Sequence, residues 1–362
     1  MRELHGLDIC LIAGTLGRGG AERQLYYILR ALRSEGARVR LLSLTRDECW
    51  EAPIAALGIP ITWIGESGSP VARLWRIVST LRRDPPAILQ SQHFYTNLYA
   101  AAAARLIGAR EIGALRSDVF SEMNAHRFAG TISLRMPRAL AANSSAAIGN
   151  ARSLGIPASR LKLLPNAVDT SHFTPASRED RAGVTLLAVG RFTAEKRFDR
   201  FLSLLARARG HSAGEVRGIL VGDGPEREEM ERFAAQLGLS RDAVEFRGET
   251  EDIAAVYHEA DMLILTSDYE GMPNVVLEAM ASGLPVVSAG VGDVGRIFAD
   301  GAEGYVCTPY DEARMSAMIH RLASDRGLRT AFGSAARRRV ETDHSLECLP
   351  RFLSTLYKET LA

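Results

Sequence analysis

The chain has few cysteines and no long apolar run, and each shortage excludes a class of protein. Its 362 residues include four cysteines without a C-x-x-C pair, a pattern that predicts neither a disulfide framework nor a zinc site. The longest nearly apolar stretch, Leu98–Ala104, ends at Arg105, far short of the ~20 residues that cross a bilayer. We therefore expect no membrane-spanning segment.

The first residues also lack the pattern of a signal peptide. Glu3 and Asp8 interrupt any basic start, and the apolar run Ile9–Ala13 leads into glycines rather than a cleavage site, so we expect a cytoplasmic protein. A content of 46% hydrophobic and 24% charged residues with a net charge of +1 excludes a disordered or fibrous chain. The length predicts about two domains.

The near-neutral net charge is unevenly distributed. Residues 1–170 carry 21 basic and 13 acidic side chains, a charge of +8, whereas the remainder carries 23 basic and 30 acidic ones, a charge of −7. A basic half suits an anionic membrane or substrate. The alternative is that arginine is the default surface residue of this chain, because only three of its 44 basic residues are lysines.

Short apolar runs alternate with longer amphipathic segments along the chain. Leu7–Ala13, Ala21–Ser34 and Val39–Leu44 follow each other as strand, helix and strand, and a second series runs from Thr185–Val189 to Pro285–Ser288. This alternation predicts parallel sheets that helices cover on both faces. The expected fold class is α/β, with two doubly wound, Rossmann-like domains.

A break in this rhythm marks the domain boundary. It begins near residues 165–169, and residues 170–183 have no apolar period, so we place the linker there. The predicted domains are residues 1–170 and 171–345, followed by a final helix over residues 346–362. Because open α/β sheets bind ligands at the carboxyl ends of their strands, we expect the function in a cleft that both sheets face.

The strongest motif spans residues 267–287, between a predicted strand and a predicted helix. Its turn comprises Glu270, Gly271, Met272, Pro273 and Asn274, and it presents the first N–H groups of the helix to an anion or a hydroxyl-rich group. A carboxylate accepts hydrogen bonds from vicinal hydroxyls. We therefore expect Glu278, one turn inside the helix, to suit a ribose and Glu270 to suit a hexose, against the alternative of an ordinary helix start.

A second cluster, residues 189–197, follows the first strand of the second domain. Gly190 lets a backbone approach closely, and Arg191 and Lys196 bring two cations near the strand end. Charge-assisted hydrogen bonds from these cations would hold a diphosphate. The alternative is a solvated charged face.

The glycine-rich stretch of residues 14–22 follows the first predicted strand. Gly14, Gly17, Gly19 and Gly20 do not fit G-x-G-x-x-G, and no G-K-[ST] follows, which disfavours a nicotinamide or P-loop site. The remaining options are a loop whose N–H groups bind a phosphate or its sugar, and a plain tight turn.

Polar residues 90–97 end another strand of the first domain, and Arg116 follows the next strand. His93 at this position could orient a sugar hydroxyl or assist an acceptor. A purely structural histidine is the alternative.

Together these motifs resemble those of the family 4 GT-B glycosyltransferases, which use nucleotide sugars with retention of anomeric configuration. The resemblance covers essentially the whole chain. It is carried by the Gly19–Gly20 loop, residues 165–169, the cluster of Gly190, Arg191 and Lys196, residues 220–225, and the E-x7-E pattern of Glu270 and Glu278.

The resemblance implies a role for each motif. Arg191 and Lys196 would bind the diphosphate, Glu278 the ribose, Glu270 and the amides of residues 271–274 the donor sugar, and Gly19 and Gly20 the donor from the opposite domain. Residues 1–170 would form the acceptor side, residues 171–345 the nucleotide-sugar domain, and the final helix would cross back to the first domain.

Two departures from the family pattern limit what the resemblance implies. Gln92 and His93 compete for the place of the catalytic histidine of the family. In residues 292–297, Arg296 occupies the position where many members have an acidic residue. This part of the predicted cleft therefore does not indicate the identity of the donor.

The expected activity is transfer of a hexose, with retention, from a nucleotide diphosphate sugar to a glycan or lipid-linked acceptor in cell-surface polysaccharide assembly. Glu270, Arg191, Lys196 and His93 are the catalytic candidates. Because no D-x-D sequence occurs, we expect no metal at the diphosphate. We also expect no other cofactor and no nucleic-acid partner. A nucleotide-sugar epimerase of the same architecture and an inactive sugar-nucleotide-binding subunit are the alternatives.

We also expect peripheral contact with the inner membrane. Two arginine clusters of the basic half fall on segments predicted to be helical: Arg73, Arg76, Arg82 and Arg83 in one, and Arg127, Arg135 and Arg138 in the other. The sequence does not determine the nucleotide of the donor, which is UDP, GDP or ADP, or its sugar, which is glucose, GlcNAc, mannose or galactose.

Overall fold

The computed structural model describes residues 3–66, 68–116, 118–176, 183–211 and 216–362. The chain divides into two compact units: unit 1 comprises Met1–Ala167 and Leu346–Ala362, and unit 2 comprises Val168–Ser345. The predicted linker begins within unit 2, and its residues 177–182 lie outside the described part of the chain.

Unit 1 contains a parallel sheet whose strands alternate with helices. Its described strands are β1 (Asp8–Ala13), β2 (Arg38–Ser43), β3 (Ile61–Trp63), β4 (Ile88–Ser91), β5 (Arg110–Leu115), β6 (Ala139–Ala142) and β7 (Leu161–Leu163). They pair in the order β3-β2-β1-β4-β5-β6-β7. The chain therefore reverses its direction of progress across the sheet between β1 and β4, which creates a crevice at the carboxyl ends of these two strands.

The helices of unit 1 cover this sheet. They are α1 (Gly20–Ser34), α2 (Glu51–Ala56), α3 (Pro70–Leu81), α4 (Asn97–Ile107), α5 (Val119–Arg135) and α6 (Ser145–Ser153). In α1, Leu25, Ile28, Leu29 and Leu32 recur at helical spacing and are almost fully buried. Burial of such a stripe against the sheet supplies most of the stability of an amphipathic helix.

Unit 2 repeats this architecture. Its described strands are β8 (Val184–Val189), β9 (Val216–Val221), β10 (Val244–Arg247), β11 (Met262–Leu265), β12 (Val286–Ala289) and β13 (Gly304–Cys307), all parallel in the order β10-β9-β8-β11-β12-β13. Its helices are α7 (Phe198–His211), α8 (Arg227–Gln236), α9 (Ile253–Glu259), α10 (Asn274–Ala281), α11 (Val294–Ile297), α12 (Glu312–Ser324) and α13 (Arg326–Asp343). The corresponding crevice lies between β8 and β11.

The last helix, α14 (Leu349–Leu361), belongs to unit 1. Leu349, Leu353, Leu356 and Tyr357 are buried in the same apolar cluster as β1 and α1. Each buried leucine contributes about 1.5 to 3 kcal/mol of hydrophobic stabilisation. The hydroxyl of Tyr357 also donates a hydrogen bond of 2.7 Å to Gln90 Oε1 on β4.

The predicted class of two doubly wound α/β domains is thus confirmed. The helices that the structure describes include none with the length and apolar character needed to span a membrane.

Candidate functional site

The crevice of unit 2 brings two predicted site residues into direct contact. Lys196 lies in the loop after β8, and Glu270 lies in the loop after β11. The Nζ of Lys196 is 2.7 Å from Glu270 Oε1. The same carboxylate oxygen accepts a hydrogen bond of 2.8 Å from Ser267 Oγ. The side chains of Lys196 and Glu270 are 23% and 13% exposed, so the pair is partly shielded from solvent but accessible to a ligand.

Two further hydrogen bonds fasten these loops to each other. Thr266 Oγ1 donates to the carbonyl of Lys196 at 3.0 Å, and the N–H of Asp268 donates to the carbonyl of Glu195 at 2.8 Å. The relative position of Lys196 and Glu270 is therefore fixed by backbone contacts as well as by their own ion pair. Ser267 and Asp268 lie within the motif of residues 267–287, and Thr266 directly precedes it, but the sequence assigned none of the three a role.

The turn that contains Glu270 is held from the other side by the segment after β12. Gly292 has φ +54°, and a Cβ there would lie 2.2 Å from the carbonyl oxygen of Gly271. The N–H of Asp293 donates to that same carbonyl at 2.9 Å. Only glycine permits this approach and this conformation, so Gly292 is a site-shaping residue that the sequence did not reveal.

The remaining predicted residues of this motif form the start of α10. Met272 is buried, Pro273 precedes the helix, and Asn274 is its first residue. Glu278 lies in the second turn, where only 5% of the residue is exposed. The hydroxyl of the buried Tyr257 donates to Glu278 Oε2 at 2.9 Å, which fixes the direction of the carboxylate.

The loop after β8 is shaped by a second close backbone approach. Gly222 has φ +131°, and a Cβ there would lie 2.0 Å from the carbonyl oxygen of Gly190. This contact gives a physical reason for the glycine at position 222. The loop leaves Arg191 exposed.

Other cations near this crevice are already paired with carboxylates. Arg197 contacts Asp199 at 2.8 Å, and Arg200 contacts Asp268 at 2.7 Å. Hydrogen bonds to Asp199 and Asp268 outweigh burial and raise the pKa of Arg197. Lys196 is paired as well, with Glu270, but this contact uses one of the three N–H donors of its ammonium group, and Arg191 is exposed. These two cations therefore have donors left for an incoming anion.

In unit 1, the crevice between β1 and β4 contains the predicted His93. The N–H of Gly14 donates to His93 Nδ1 at 3.0 Å, and His93 Nε2 is 3.0 Å from Glu22 Oε1. Because Nδ1 accepts a hydrogen bond, the ring proton resides on Nε2 and is donated to Glu22. The ring of Tyr95 stacks on His93 with centroids 5.5 Å apart.

Gly19 and Gly20 lie at the start of α1, beside this network. Gly19 is the residue before the helix, and a Cβ there would lie 2.1 Å from Glu22 Oε2. Gln92, the other candidate for the histidine place, is fully buried, and its Nε2 donates to the carbonyl of Ala21 at 2.8 Å. Both candidates thus contact the start of α1: Gln92 contacts the backbone of Ala21, and His93 contacts the side chain of Glu22.

Glu48 is a member of this region that the sequence did not indicate. Its carboxylate accepts hydrogen bonds of 3.0 Å from Thr15 Oγ1 and also from the N–H of Leu16. Burial alone would raise the pKa of Glu48, but hydrogen bonds from Thr45, Leu16 and Thr15 outweigh it and lower the pKa below 4.5. Glu48 therefore anchors the glycine-rich loop as a carboxylate.

Comparison with known proteins identifies the family and the fold of the chain. The family model Glycosyltransferase Family 4 matches residues 18–172, and the model Glycosyl transferases group 1 matches residues 171–339. The chain has the GT-B fold and belongs to glycosyltransferase family 4.

Three individual proteins to which the chain is similar are between 20% and 28% identical to it over the aligned residues. The glycogen synthase of Mycobacterium tuberculosis is 28% identical over 200 residues, which are 54% of this chain and 48% of that enzyme, so the chain spans about half the length of that relative. EpsF of Bacillus subtilis is 27% identical over 330 residues, 82% of this chain and 83% of that protein. The crystal structure of Anabaena HepE in complex with UDP shares the fold, with a TM-score of 0.84 at 20% identity over 97% of this chain and 100% of that chain.

Proposed function

We propose that this protein is a retaining glycosyltransferase that moves a hexose from a nucleotide diphosphate sugar to a glycan or lipid-linked acceptor in polysaccharide assembly. The observation that carries the proposal is the contact between Lys196 and Glu270 at the crevice of unit 2. Family membership supports it, as do the structures of HepE in complex with UDP and with UDP-glucose. UDP sugars are therefore the first donors to test.

The ion pair lets one network hold both halves of the donor. An ammonium group has three N–H donors, and Glu270 takes one of those of Lys196. The other two remain for the diphosphate, while Arg191 adds an exposed guanidinium. Glu270, oriented by Lys196 and Ser267, and the amides of residues 271–274 would then bind the sugar hydroxyls, and Glu278 would bind the ribose.

Catalysis in this proposal is electrostatic. The bond between the anomeric carbon and the phosphate oxygen breaks, the acceptor oxygen forms its bond on the same face, and the acceptor proton passes to the departing phosphate oxygen. Arg191 and Lys196 stabilise the charge that grows on the diphosphate. These two cations take the part that a metal ion plays in other nucleotide-sugar enzymes, so the reaction needs no metal.

A binding screen followed by a turnover assay tests the function. UDP, GDP and ADP sugars are compared by thermal shift, because a ligand at 100 times its dissociation constant stabilises a protein by about 2.7 kcal/mol. The donor that binds is then incubated without acceptor. Epimerised donor would show an epimerase, and binding without transfer to any glycan or lipid-linked acceptor would show an inactive binding subunit.

We further propose that unit 1 contacts the inner leaflet of the cytoplasmic membrane through α3. Val71 and Trp75 are four residues apart on this helix and are 66% and 64% exposed. Arg82 and Arg83 follow the end of the helix and are exposed. An apolar pair beside exposed arginines suits an anionic lipid surface, at about 1 kcal/mol per basic residue.

The structure changes which arginines this proposal uses. Arg76 pairs with Glu66, and Arg138, which lies beyond the end of α5, is 3.8 Å from the buried Glu111. Arg135 donates to the carbonyl of Leu154 at 3.0 Å, and the side chain of Arg127 lies outside the described part of the structure. The second cluster therefore carries no membrane contact in this proposal.

Co-sedimentation with phosphatidylglycerol and phosphatidylcholine vesicles at low and high salt tests the α3 surface. Changing Trp75 to serine, or Arg82 and Arg83 to glutamine, should weaken binding to the anionic vesicles, whereas Arg110→Gln should not. Binding that ignores lipid charge, salt and these substitutions would contradict the proposal.

A further inference from the structure

Three adjacent strands of unit 1 end in polar residues that the proposed donor site does not use. The first residues after β4, β5 and β6 are Gln92, Arg116 and Asn143 respectively. The register pairs Leu115 with Ala142, so Arg116 and Asn143 are neighbours at the carboxyl edge of the sheet. Their contact is direct, because Asn143 Nδ2 donates to the backbone carbonyl of Arg116 at 3.0 Å.

Each of these side chains has buried polar atoms without a partner among the described residues. They are Gln92 Oε1, Arg116 Nε and Nη2, and Asn143 Oδ1. The residues Gln92 and Asn143 are 0% and 3% exposed. Buried polar atoms in folded proteins are nearly always hydrogen-bonded, so the unsatisfied atoms on three neighbouring strands make this edge of the sheet a candidate ligand site.

Arg116 determines the chemistry of that ligand. Among the described residues, no carboxylate lies within ion-pair distance of its guanidinium. Its side chain makes one long hydrogen bond, from Nη1 to the carbonyl of Leu164 at 3.5 Å. Burial lowers the pKa of Arg116 to about 10, opposed by a contribution from Tyr357, yet the guanidinium remains a cation at neutral pH. A buried cation that carries only donors is best compensated by an anionic acceptor.

We propose that Arg116 and Asn143, with Gln92 at the end of the adjacent strand β4, form a binding site for an anionic group of the glycosyl acceptor, a phosphate or a carboxylate flanked by hydroxyls. The guanidinium presents two parallel N–H groups to the anion. The amide oxygens of Asn143 and Gln92 accept hydrogen bonds from the neighbouring hydroxyls. The assignment to the acceptor rests on the proposed function, in which residues of unit 2 hold the diphosphate of the donor.

The test compares Arg116→Met with wild type and with Arg110→Met. Methionine has a similar length without charge, and Arg110 is an exposed arginine at the opposite end of the same strand. Each protein is saturated with UDP, to occupy the proposed donor site, and its melting temperature is followed in titrations of inorganic phosphate and of glucuronate, against sodium chloride of equal ionic strength. Arg116→Gln serves as a second variant if Arg116→Met does not fold.

We expect phosphate or glucuronate to stabilise wild type and Arg110→Met, with an affinity about 10- to 100-fold weaker in Arg116→Met, as the loss of charge-assisted hydrogen bonds predicts. Stabilisation by phosphate alone would indicate a phosphorylated acceptor, and stabilisation by glucuronate alone an acidic sugar. Without ligand, Arg116→Met should melt no lower than wild type, because it removes an uncompensated cation.

Two results would overturn the inference: an anion effect of equal size in Arg116→Met, or none in wild type. Failure of the proposed function gives a different pattern, in which UDP shifts the melting temperature of none of the three proteins while the difference between Arg116→Met and Arg110→Met in phosphate persists.

Discussion

Replacement of Glu278 by alanine is the most direct test of nucleotide binding in unit 2. The carboxylate is nearly buried, and Tyr257 directs it through a hydrogen bond of 2.9 Å. In the proposed function this carboxylate accepts hydrogen bonds from both ribose hydroxyls. Alanine removes both acceptors and leaves the phosphate-binding cations in place.

The expected size of the effect follows from those two hydrogen bonds. At about 0.5 to 1.5 kcal/mol net for each bond, their loss weakens UDP binding by about 1 to 3 kcal/mol, or roughly 5- to 150-fold. Tyr257→Phe is the matched control, because it removes the hydroxyl that orients Glu278 and leaves the carboxylate itself. Its loss of one bond predicts a decrease of about 10-fold or less.

Isothermal titration calorimetry with UDP measures both variants, and circular dichroism establishes that each is folded. Wild-type affinity for UDP in folded Glu278→Ala would refute the assignment of this carboxylate to the ribose. A larger loss in Tyr257→Phe than in Glu278→Ala would also refute it, because the tyrosine acts here only through the carboxylate.

Four further predictions follow from the same contacts. Glu270→Ala should leave UDP binding intact and lower turnover, because the proposed partner of Glu270 is the sugar; equal loss of binding and turnover would contradict this. Lys196→Ala and Arg191→Ala should lower kcat more than they raise KM, because charge grows on the diphosphate in the transition state. The control is Lys358→Ala, which removes a lysine paired with Glu3 at the surface. A change in KM alone would indicate that the two cations only anchor the ground state. Turnover should survive EDTA, and inhibition that magnesium reverses would show a required metal. Because the pKa of Glu48 is lowered in the folded protein, the stabilisation that its carboxylate provides is complete above pH 4.5 and is lost as the pH falls through the pKa of the folded state. Urea denaturation at pH 7 and pH 3.5 should therefore show that Glu48→Gln lowers the free energy of unfolding more at pH 7. An equal decrease at the two pH values would exclude this role.

Local sequence pattern was sufficient for most of the secondary structure. Strands such as Asp8–Ala13 and helices such as Gly20–Ser34 carry a clear apolar period, and this period follows from the geometry of a strand or helix with one or both faces buried. Helix α6 contains Gly149 and Asn150, which weaken its period, and it was not predicted. The elements beyond Ser288, namely α11, β13, α12 and α13, were not predicted either, although α12 buries Met315, Ile319 and Leu322 at helical spacing.

The sequence by itself also indicated the candidate residues of the proposed donor site, because the E-x7-E motif and the Gly190–Lys196 cluster each lie within a short stretch of the chain. Only the tertiary structure decided how they combine. Lys196 and Glu270 meet because β8 and β11 are neighbours in the sheet although 74 residues separate the two side chains. Tertiary structure also decides three other features of this kind. They are the hydrogen bond of Tyr257 to Glu278, the position of His93 between Gly14 and Glu22, and the uncompensated charge of Arg116. Strand order and side-chain packing set these contacts, and both depend on the whole chain, so no local run of residues specifies them.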